Sequence, residues 1–176
     1  MGIRYQNLDD VTRAYMLEES RLGGHYKSPR LNGVGLESWV SLLEGAIQSH
    51  DDDWLSAELL RHGYFKAVET YTTRSGAVAQ RRINAPHSAQ MLAEGEFNRY
   101  YLRGLCRRAS EESTPELLIY RGKAVTNPRP ESEAKIGTRI GILGLLNTLR
   151  RNDFVSVEEA FAVPGGPNSG LTARLP

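Results

Sequence analysis

Arginine side chains form the densest group of residues with binding chemistry in this sequence. Arg99, Arg103 and Arg107 lie four residues apart, so on an α-helix they would form a single stripe. The planar guanidinium group makes paired hydrogen bonds to carboxylates and phosphates. The stripe therefore predicts a surface that can bind carboxylate or phosphate groups.

Glutamates in the same region offer these arginines partners inside the protein. Six of them lie close to the stripe in the chain: Glu94, Glu96, Glu111, Glu112, Glu131 and Glu133. Nonspecific binding of nucleic acid needs a local basic excess, whereas the whole chain has a net charge of +1. The pattern therefore favours ion pairs within the protein or between subunits, and nucleic acid is the less favoured partner.

Other residues with reactive or metal-binding side chains do not form a recognisable site. Asp51, Asp52 and Asp53 are consecutive, so on a helix they would point about 100° apart, which suits the start of a helix better than one ion. The four histidines lack the spacing of zinc ligands. Cys106, next to Arg107, is either an activated thiolate or a small buried side chain. We expect no metal, no other cofactor and no enzyme activity.

The length and composition of the chain limit its class. The 176 residues can bury one core, and we expect a single domain over residues 1–162 followed by an extended arm over residues 163–176. A single cysteine excludes a disulfide within the chain. No apolar run approaches the roughly 18 residues of a membrane span, so we expect a protein without a membrane partner that is made in the cytoplasm.

Residues 93–110 predict the central helix of the domain. Phe97, Tyr101 and Leu105 lie four residues apart on one face, beside the arginine stripe. We expect that face to pack in the core and the arginine face to be free. The same spacing predicts three helices before it and one after it. In the first helix, Asn7 is the expected cap and Leu8, Val11, Tyr15 and Leu22 form the apolar side, and in the second the apolar side is Trp39, Leu42, Leu43, Ala46 and Ile47. In the third helix, Asp51 is the expected cap and Trp54, Leu55, Leu59 and Leu60 are the expected buried residues. The helix after the central one has Ile140, Leu143, Leu146 and Leu149 on its apolar side.

Alternating side chains predict strands between these helices. Residues 64–83 alternate on both sides of a turn at Gly76, which is typical of a β-hairpin. Residues 117–120 are apolar and aromatic, as in a buried strand. We expect this strand to join the hairpin in one small antiparallel sheet, and Ser88 to begin a short helix that Gly95 interrupts. The predicted fold class is α+β, with a small antiparallel sheet packed against several helices.

The arm over residues 163–176 is rich in glycine and proline, which do not favour regular structure. Leu171, Arg174 and Leu175 near its end combine apolar anchors with a charge. We expect the arm to be mobile in the monomer and to become ordered across a neighbouring subunit.

Two segments resemble a family of uncharacterised proteins encoded by phages and prophages. They are residues 95–109, GEFNRYYLRGLCRRA, and residues 120–137, YRGKAVTNPRPESEAKIG, with further similarity at residues 5–9 and 166–171. The resemblance implies a place among virion structural proteins, and it carries no assigned activity or site residues.

These observations lead to two main hypotheses. The first is a non-catalytic structural protein of a bacteriophage particle, either capsid-associated or a connector subunit, that binds other virion proteins or copies of itself. The second is an intracellular phage effector that binds nucleic acid or a host protein through the arginine helix. A hydrolase that uses His and Asp is the least favoured, because the motifs match poorly.

Overall fold

The helix α4, Ala85–Glu111, lies at the centre of the protein. The computed structural model shows Phe97, Tyr101 and Leu105 fully buried, as predicted. The helix is longer than expected, because the side chain of Asn84 caps it and Pro86 occupies its first turn. Gly95 does not interrupt it, and Ser88 is not a cap. Packing on all sides stabilises the helix by more than the roughly 1 kcal/mol that an internal glycine costs.

The structure describes residues 2–151, 153–163 and 169–176. In these residues the elements are α1 Asp10–Arg21, α2 Gly33–Ser49, α3 Asp52–Arg61, β1 Val68–Thr72, β2 Val78–Arg82, α4, β3 Glu116–Arg121, α5 Pro130–Glu133, β4 Arg139–Gly141, α6 Ile142–Leu149, α7 Val157–Ala160 and β5 Leu171–Arg174. The predicted α+β class is confirmed. Across these residues, each helix is too short or too polar to span a bilayer.

The helix α1 packs along α4 through a different face from the one predicted. Asp9, and not Asn7, caps the helix by accepting a hydrogen bond from the Thr12 amide at 3.0 Å. Val11 and Leu22 are exposed, and the buried positions are Thr12, Met16, Glu19 and Ser20. The apolar pattern was misleading because α1 turns a carboxylate towards α4, where it meets the arginines of that helix.

The helix α2 follows the predicted pattern, and α3 follows it in part, since Leu55 and Leu59 are buried but Leu60 is 38% exposed. Trp39, Leu43 and Ile47 of α2 are buried. Asp51 caps α3 by accepting a hydrogen bond from the Trp54 amide at 2.9 Å, as expected for an aspartate at a helix start. α3 packs against α4 through Leu55 and Leu59. The three aspartates therefore begin a helix, as the spacing indicates.

The strands form two separate sheets, so the predicted single sheet is wrong. β1 and β2 form a two-stranded antiparallel hairpin, and Gly76 in its turn has φ +82°, which glycine adopts without strain. β3 lies in the middle of a second antiparallel sheet in the order β4, β3, β5. β3 is the central strand of this sheet, with Leu117 and Ile119 buried, and neither of its neighbours is the hairpin.

The predicted C-terminal arm is wrong for the part that the structure describes. Leu171–Arg174 forms β5, which pairs with β3 from Leu118 to Arg121. Leu171, Thr172 and Ala173 are buried in the same domain. These contacts belong to one chain, so this strand does not need a neighbouring subunit for order. The Gly- and Pro-rich residues 164–168 of the expected arm lie outside the described residues.

Candidate functional site

The arginine stripe of α4 lies inside the protein. The side chains of Arg99 and Arg103 are each 2% exposed. Arg103 Nε donates to Glu19 Oε2 at 3.0 Å, and its Nη2 donates to the Glu19 carbonyl at 3.1 Å. Arg99 Nη1 donates to Glu96 Oε1 at 2.9 Å. The expectation that this face of the helix is free is wrong, and the preferred reading as internal ion pairs is confirmed for Arg99 and Arg103.

Glu19 of α1 is the centre of this ion-pair network. Its fully buried carboxylate accepts hydrogen bonds from Arg103, from Arg107 at 3.2 Å and from Arg150 at 2.9 Å. Burial alone raises the pKa of Glu19, but hydrogen bonds from Arg150 and Arg103 outweigh burial and hold the pKa below its ordinary value. Glu19 is therefore an ionised carboxylate that joins α1, α4 and the end of α6.

Glu96 is the second buried carboxylate of the network, and its environment has the opposite effect. It accepts hydrogen bonds from Arg99 and from the Tyr26 amide at 3.0 Å. Burial raises the pKa of Glu96, and the charge of Arg99 offsets that rise only in part. Tyr100 also contacts the network through its ring, because the guanidinium carbons of Arg99 and Arg103 lie 5.5 and 4.6 Å from the ring centroid, as in cation–π interactions.

The remaining residues with a predicted binding role lie in three different environments. Arg107 is partly exposed and pairs with Glu18 and Glu19. Leu171 is buried in β5, and its carbonyl accepts a hydrogen bond from Asn98 at 2.8 Å. Arg174 and Leu175 are half-buried at the end of the chain, where Leu175 packs against the core of its own domain. The structure does not bring these residues together into one surface.

Cys106 is a buried side chain on α4. Burial raises the pKa of the Cys106 thiol to about 12, so the thiolate is scarce at neutral pH and the activated-thiolate alternative is not supported. Among the described residues, no group of three His, Cys, Asp or Glu side chains is arranged to hold a metal ion.

A cavity of about 520 Å³ opens beside the N-terminal half of α4. The loop after α1, the hairpin, α4, the start of α7 and the residues before β5 contribute to its walls. Its charged and hydroxyl lining includes Arg30, Glu69, Ser88, Glu94, Glu96 and Glu158. Tyr26 and Phe154 add a pair of aromatic rings with centroids 4.3 Å apart. A volume of this size suits a small organic molecule or one large side chain.

Asp52 is a further buried carboxylate that sequence reasoning treated only as part of a helix start. It is 1% exposed, and its Oδ2 accepts a hydrogen bond from the Ile3 amide at 3.0 Å. Burial raises the pKa of Asp52 to about 7, and the nearby carboxylate of Glu94 adds to that rise. Asp52 therefore holds the N-terminal segment, whose Ile3 forms part of the cavity wall.

One feature of the sequence indicates that the arginines of α4 are buried. Apolar residues occur on every side of α4 between residues 92 and 106, which indicates a helix that is buried all round. Arginines in such a helix must find buried partners. The cavity itself had no sequence signal, because its walls come from segments that are far apart in the chain.

Comparisons with protein-family models, with curated proteins and with solved structures gave no match.

Proposed function

We propose that this chain is a non-catalytic structural protein of a bacteriophage particle, capsid-associated or a connector subunit, that acts through protein-protein contacts. The particle assignment rests on the resemblance of residues 95–109 and 120–137 to phage and prophage proteins. The assignment to protein contacts rests on the hairpin of β1 and β2.

The hairpin is the observation that carries the proposal. Within the described part of the chain, β1 and β2 pair as strands only with each other, so each has an outer edge without a ladder. Val68, Tyr71 and Val78 are 45%, 41% and 75% exposed. A two-stranded hairpin is marginally stable alone, and open edges are templates for pairing with another chain.

The outer face of the hairpin is exposed, and the inner face meets the domain through Glu69, although Tyr71 of that face is also 41% exposed. The register places Val68 opposite Arg82 and Thr72 opposite Val78 on the outer face. On the inner face, Glu69 pairs with Arg81 at 2.6 Å and with Arg30 of the domain at 2.7 Å. The Arg30–Glu69 ion pair ties the inner face to the domain, and Val68 and Val78 of the outer face stay exposed.

Sedimentation velocity tests whether the hairpin mediates contacts between copies. We expect the wild-type protein to self-associate at micromolar concentration and a Val68→Lys/Val78→Lys variant to be monomeric, because two charges would be buried in the interface. Leu143→Lys on α6 is the matched control, since Leu143 is 71% exposed and lies outside the hairpin. Equal association of all three proteins would exclude the hairpin as the contact.

The second candidate, an intracellular effector that binds nucleic acid or a host protein, is favoured by the charge of the same hairpin. Residues 64–83 contain four cations, Lys66, Arg74, Arg81 and Arg82, against the single carboxylate of Glu69. A local basic excess of this kind attracts phosphates. The buried Arg99 and Arg103 cannot serve this function in the described conformation.

Fluorescence anisotropy with a labelled DNA or RNA duplex distinguishes the second candidate from the first. Binding driven by counterion release weakens steeply between about 50 and 200 mM salt. An affinity that falls in this way, and that is lost in the Arg74→Ala/Arg82→Ala variant, would favour the effector. Arg61→Ala is the control, because Arg61 is exposed at the end of α3 and is not part of the hairpin.

A further inference from the structure

We propose that the cavity beside α4 is a binding site for an organic cation, an amine or guanidinium group attached to a small apolar body. The inference is independent of the particle assignment and of the contact through the hairpin's outer face. It rests on the carboxylates that line the cavity and on which of their oxygens already accept hydrogen bonds within the protein.

The wall presents carboxylates more than cations. Glu69, Glu94, Glu96 and Glu158 line the cavity, and Arg30 is the one cation among its described lining residues. Arg30 is already engaged, since its Nε and Nη2 donate to Glu69 at 2.7 and 3.0 Å.

The cations that pair with Glu94 and Glu96 do not line the cavity. Arg99 pairs with Glu96 and Lys123 pairs with Glu94, but neither cation belongs to the cavity wall. The cavity lining therefore contains these two carboxylate residues without their cations. A ligand in the cavity meets oxygen acceptors, which favours a donor with a positive charge.

Two carboxylate oxygens, Glu94 Oε2 and Glu158 Oε2, accept no hydrogen bond from a described residue and can accept one from such a donor. Glu94 is 3% exposed, and its Oε1 accepts from Lys123 and from Gln90 at 3.0 Å, while no bond from a described residue reaches its Oε2. Glu158 Oε1 accepts from the amide and the hydroxyl of Ser169 at 3.2 and 3.0 Å. Among the described residues Glu158 has no cationic partner, so an incoming cation would complete its environment.

Aromatic and apolar side chains provide a place for the body of the ligand. Tyr26 and Phe154 lie at one side of the cavity with ring centroids 4.3 Å apart, and Met91 and Leu92 of α4 form part of its apolar wall. Aromatic faces attract cations as well as apolar groups. An acidic wall next to aromatic rings selects an amphipathic cation over an anion or a purely apolar molecule.

Benzylamine and benzyl alcohol form a probe pair that differs mainly in charge. Titration of the full chain, followed by NMR or calorimetry at pH 7, should show benzylamine binding at least about tenfold more tightly than benzyl alcohol, the ratio that one charge-assisted hydrogen bond gives. Equal binding of the two probes, or no binding of either, would overturn the proposal.

Variants of the acidic wall locate the binding. Glu158→Gln should weaken benzylamine binding about tenfold and leave the fold intact, because it leaves no buried cation unpaired. Glu159→Gln is the matched control: Glu159 is the next residue of α7, exposed and outside the lining, and glutamine preserves its capping box. Benzylamine affinity that is unchanged in Glu158→Gln and in a folded Glu94→Gln protein would place the cation elsewhere and refute the site.

A peptide arm identifies the source of the cation. The cation could be a free amine or a lysine side chain of another protein, and the peptide acetyl-Gly-Lys-Gly-amide tests the second source against its norleucine analogue. Binding of the lysine peptide but not the norleucine peptide, abolished by Glu158→Gln, assigns the cavity to a protein side chain. Binding of benzylamine alone assigns it to a free small molecule.

Discussion

At the scale of single residues, Glu19 is the carboxylate that pairs with the largest number of arginines in the described interior. One carboxylate with no exposed surface serves Arg103, Arg107 and Arg150, which come from α4 and from the end of α6. Removing one member of a buried ion pair leaves the other charge without compensation, which costs far more than the pair contributes when intact.

Replacing Glu19 should therefore destabilise the protein strongly. Glu19→Gln keeps the size of the side chain but removes the charge opposite buried Arg103, and we expect a loss of about 3 to 5 kcal/mol in the free energy of unfolding. Urea denaturation followed by circular dichroism measures this loss. Glu18→Gln is the control, since Glu18 is half exposed and pairs with partly exposed Arg107; its effect should stay below about 1 kcal/mol. Similar effects of both variants would mean that the network is not buried.

Asp52 should make stability depend on pH in the direction opposite to that of a salt-bridged carboxylate. Its pKa is about 7 in the folded protein and about 4 in an unfolded chain, so the folded state retains a proton that the unfolded state has lost. Stability from this group is present below pH 4 and is lost as the pH rises to about 7.

Asp52→Asn isolates that effect, because asparagine keeps an acceptor for the Ile3 amide and does not titrate. We expect the stability of the wild type, relative to Asp52→Asn, to fall between pH 4.5 and pH 8 in urea denaturation. A difference between the two proteins that is constant over this range would show that Asp52 is ionised throughout.

The residue-level site could be predicted only in part from the sequence. The glutamates near the stripe indicated internal ion pairs, and Asp51 indicated a helix cap. The main partner, Glu19, is 84 residues from Arg103 in the chain. The spacing of neighbouring residues cannot predict a contact over that separation. Arginine is also exposed in most proteins, so its burial follows only when the whole helix is recognised as buried.

At the scale of elements, the contact between α1 and α4 depends on Gly104. A Cβ atom at this position would lie 2.7 Å from Met16 Cγ and 2.8 Å from the Met16 amide nitrogen. The α1 backbone thus approaches α4 so closely that only glycine fits. This approach brings Glu19, one turn after Met16, within reach of Arg103.

Alanine at two glycines of α4 should have opposite effects. Gly104→Ala should destabilise the protein by about 1 to 3 kcal/mol, because α1 must move away. Gly95→Ala should stabilise it by up to about 1 kcal/mol, because alanine favours the helix and no atom lies within 4 Å of the added Cβ. Thermal denaturation compares the two. A neutral Gly104→Ala protein would contradict the close packing of α1 on α4.

Elements with regular apolar spacing were predictable, and the strand pairing was not. α2 and α4 follow the helical period over many turns, so the apolar faces predicted for them are buried, although the arginine face of α4 is buried as well. β5 has four residues, LTAR, between glycine and proline segments, so its composition resembled a loose terminus. The apolar run of β3 indicated a buried strand, but the distant segments with which it pairs could not be identified from local spacing.

At the scale of the whole molecule, the structure separates a buried ionic interior from an exposed hairpin. α4, the arginines and β5 belong to the interior and are satisfied within one chain. The hairpin and the acidic cavity are the parts that present chemistry outward. The proposed assembly function therefore depends on the hairpin, whereas the sequence had pointed to the arginine helix and the C-terminal residues.

The most direct test of the assembly proposal is the protein content of phage particles made in a host that expresses this chain. After purification on a density gradient, quantitative mass spectrometry should find the wild-type chain at a fixed ratio to the major capsid protein. The Val68→Lys/Val78→Lys variant should be depleted from particles at equal cellular abundance, and Leu143→Lys should be retained. Particles that lack the wild-type chain would contradict the proposed function.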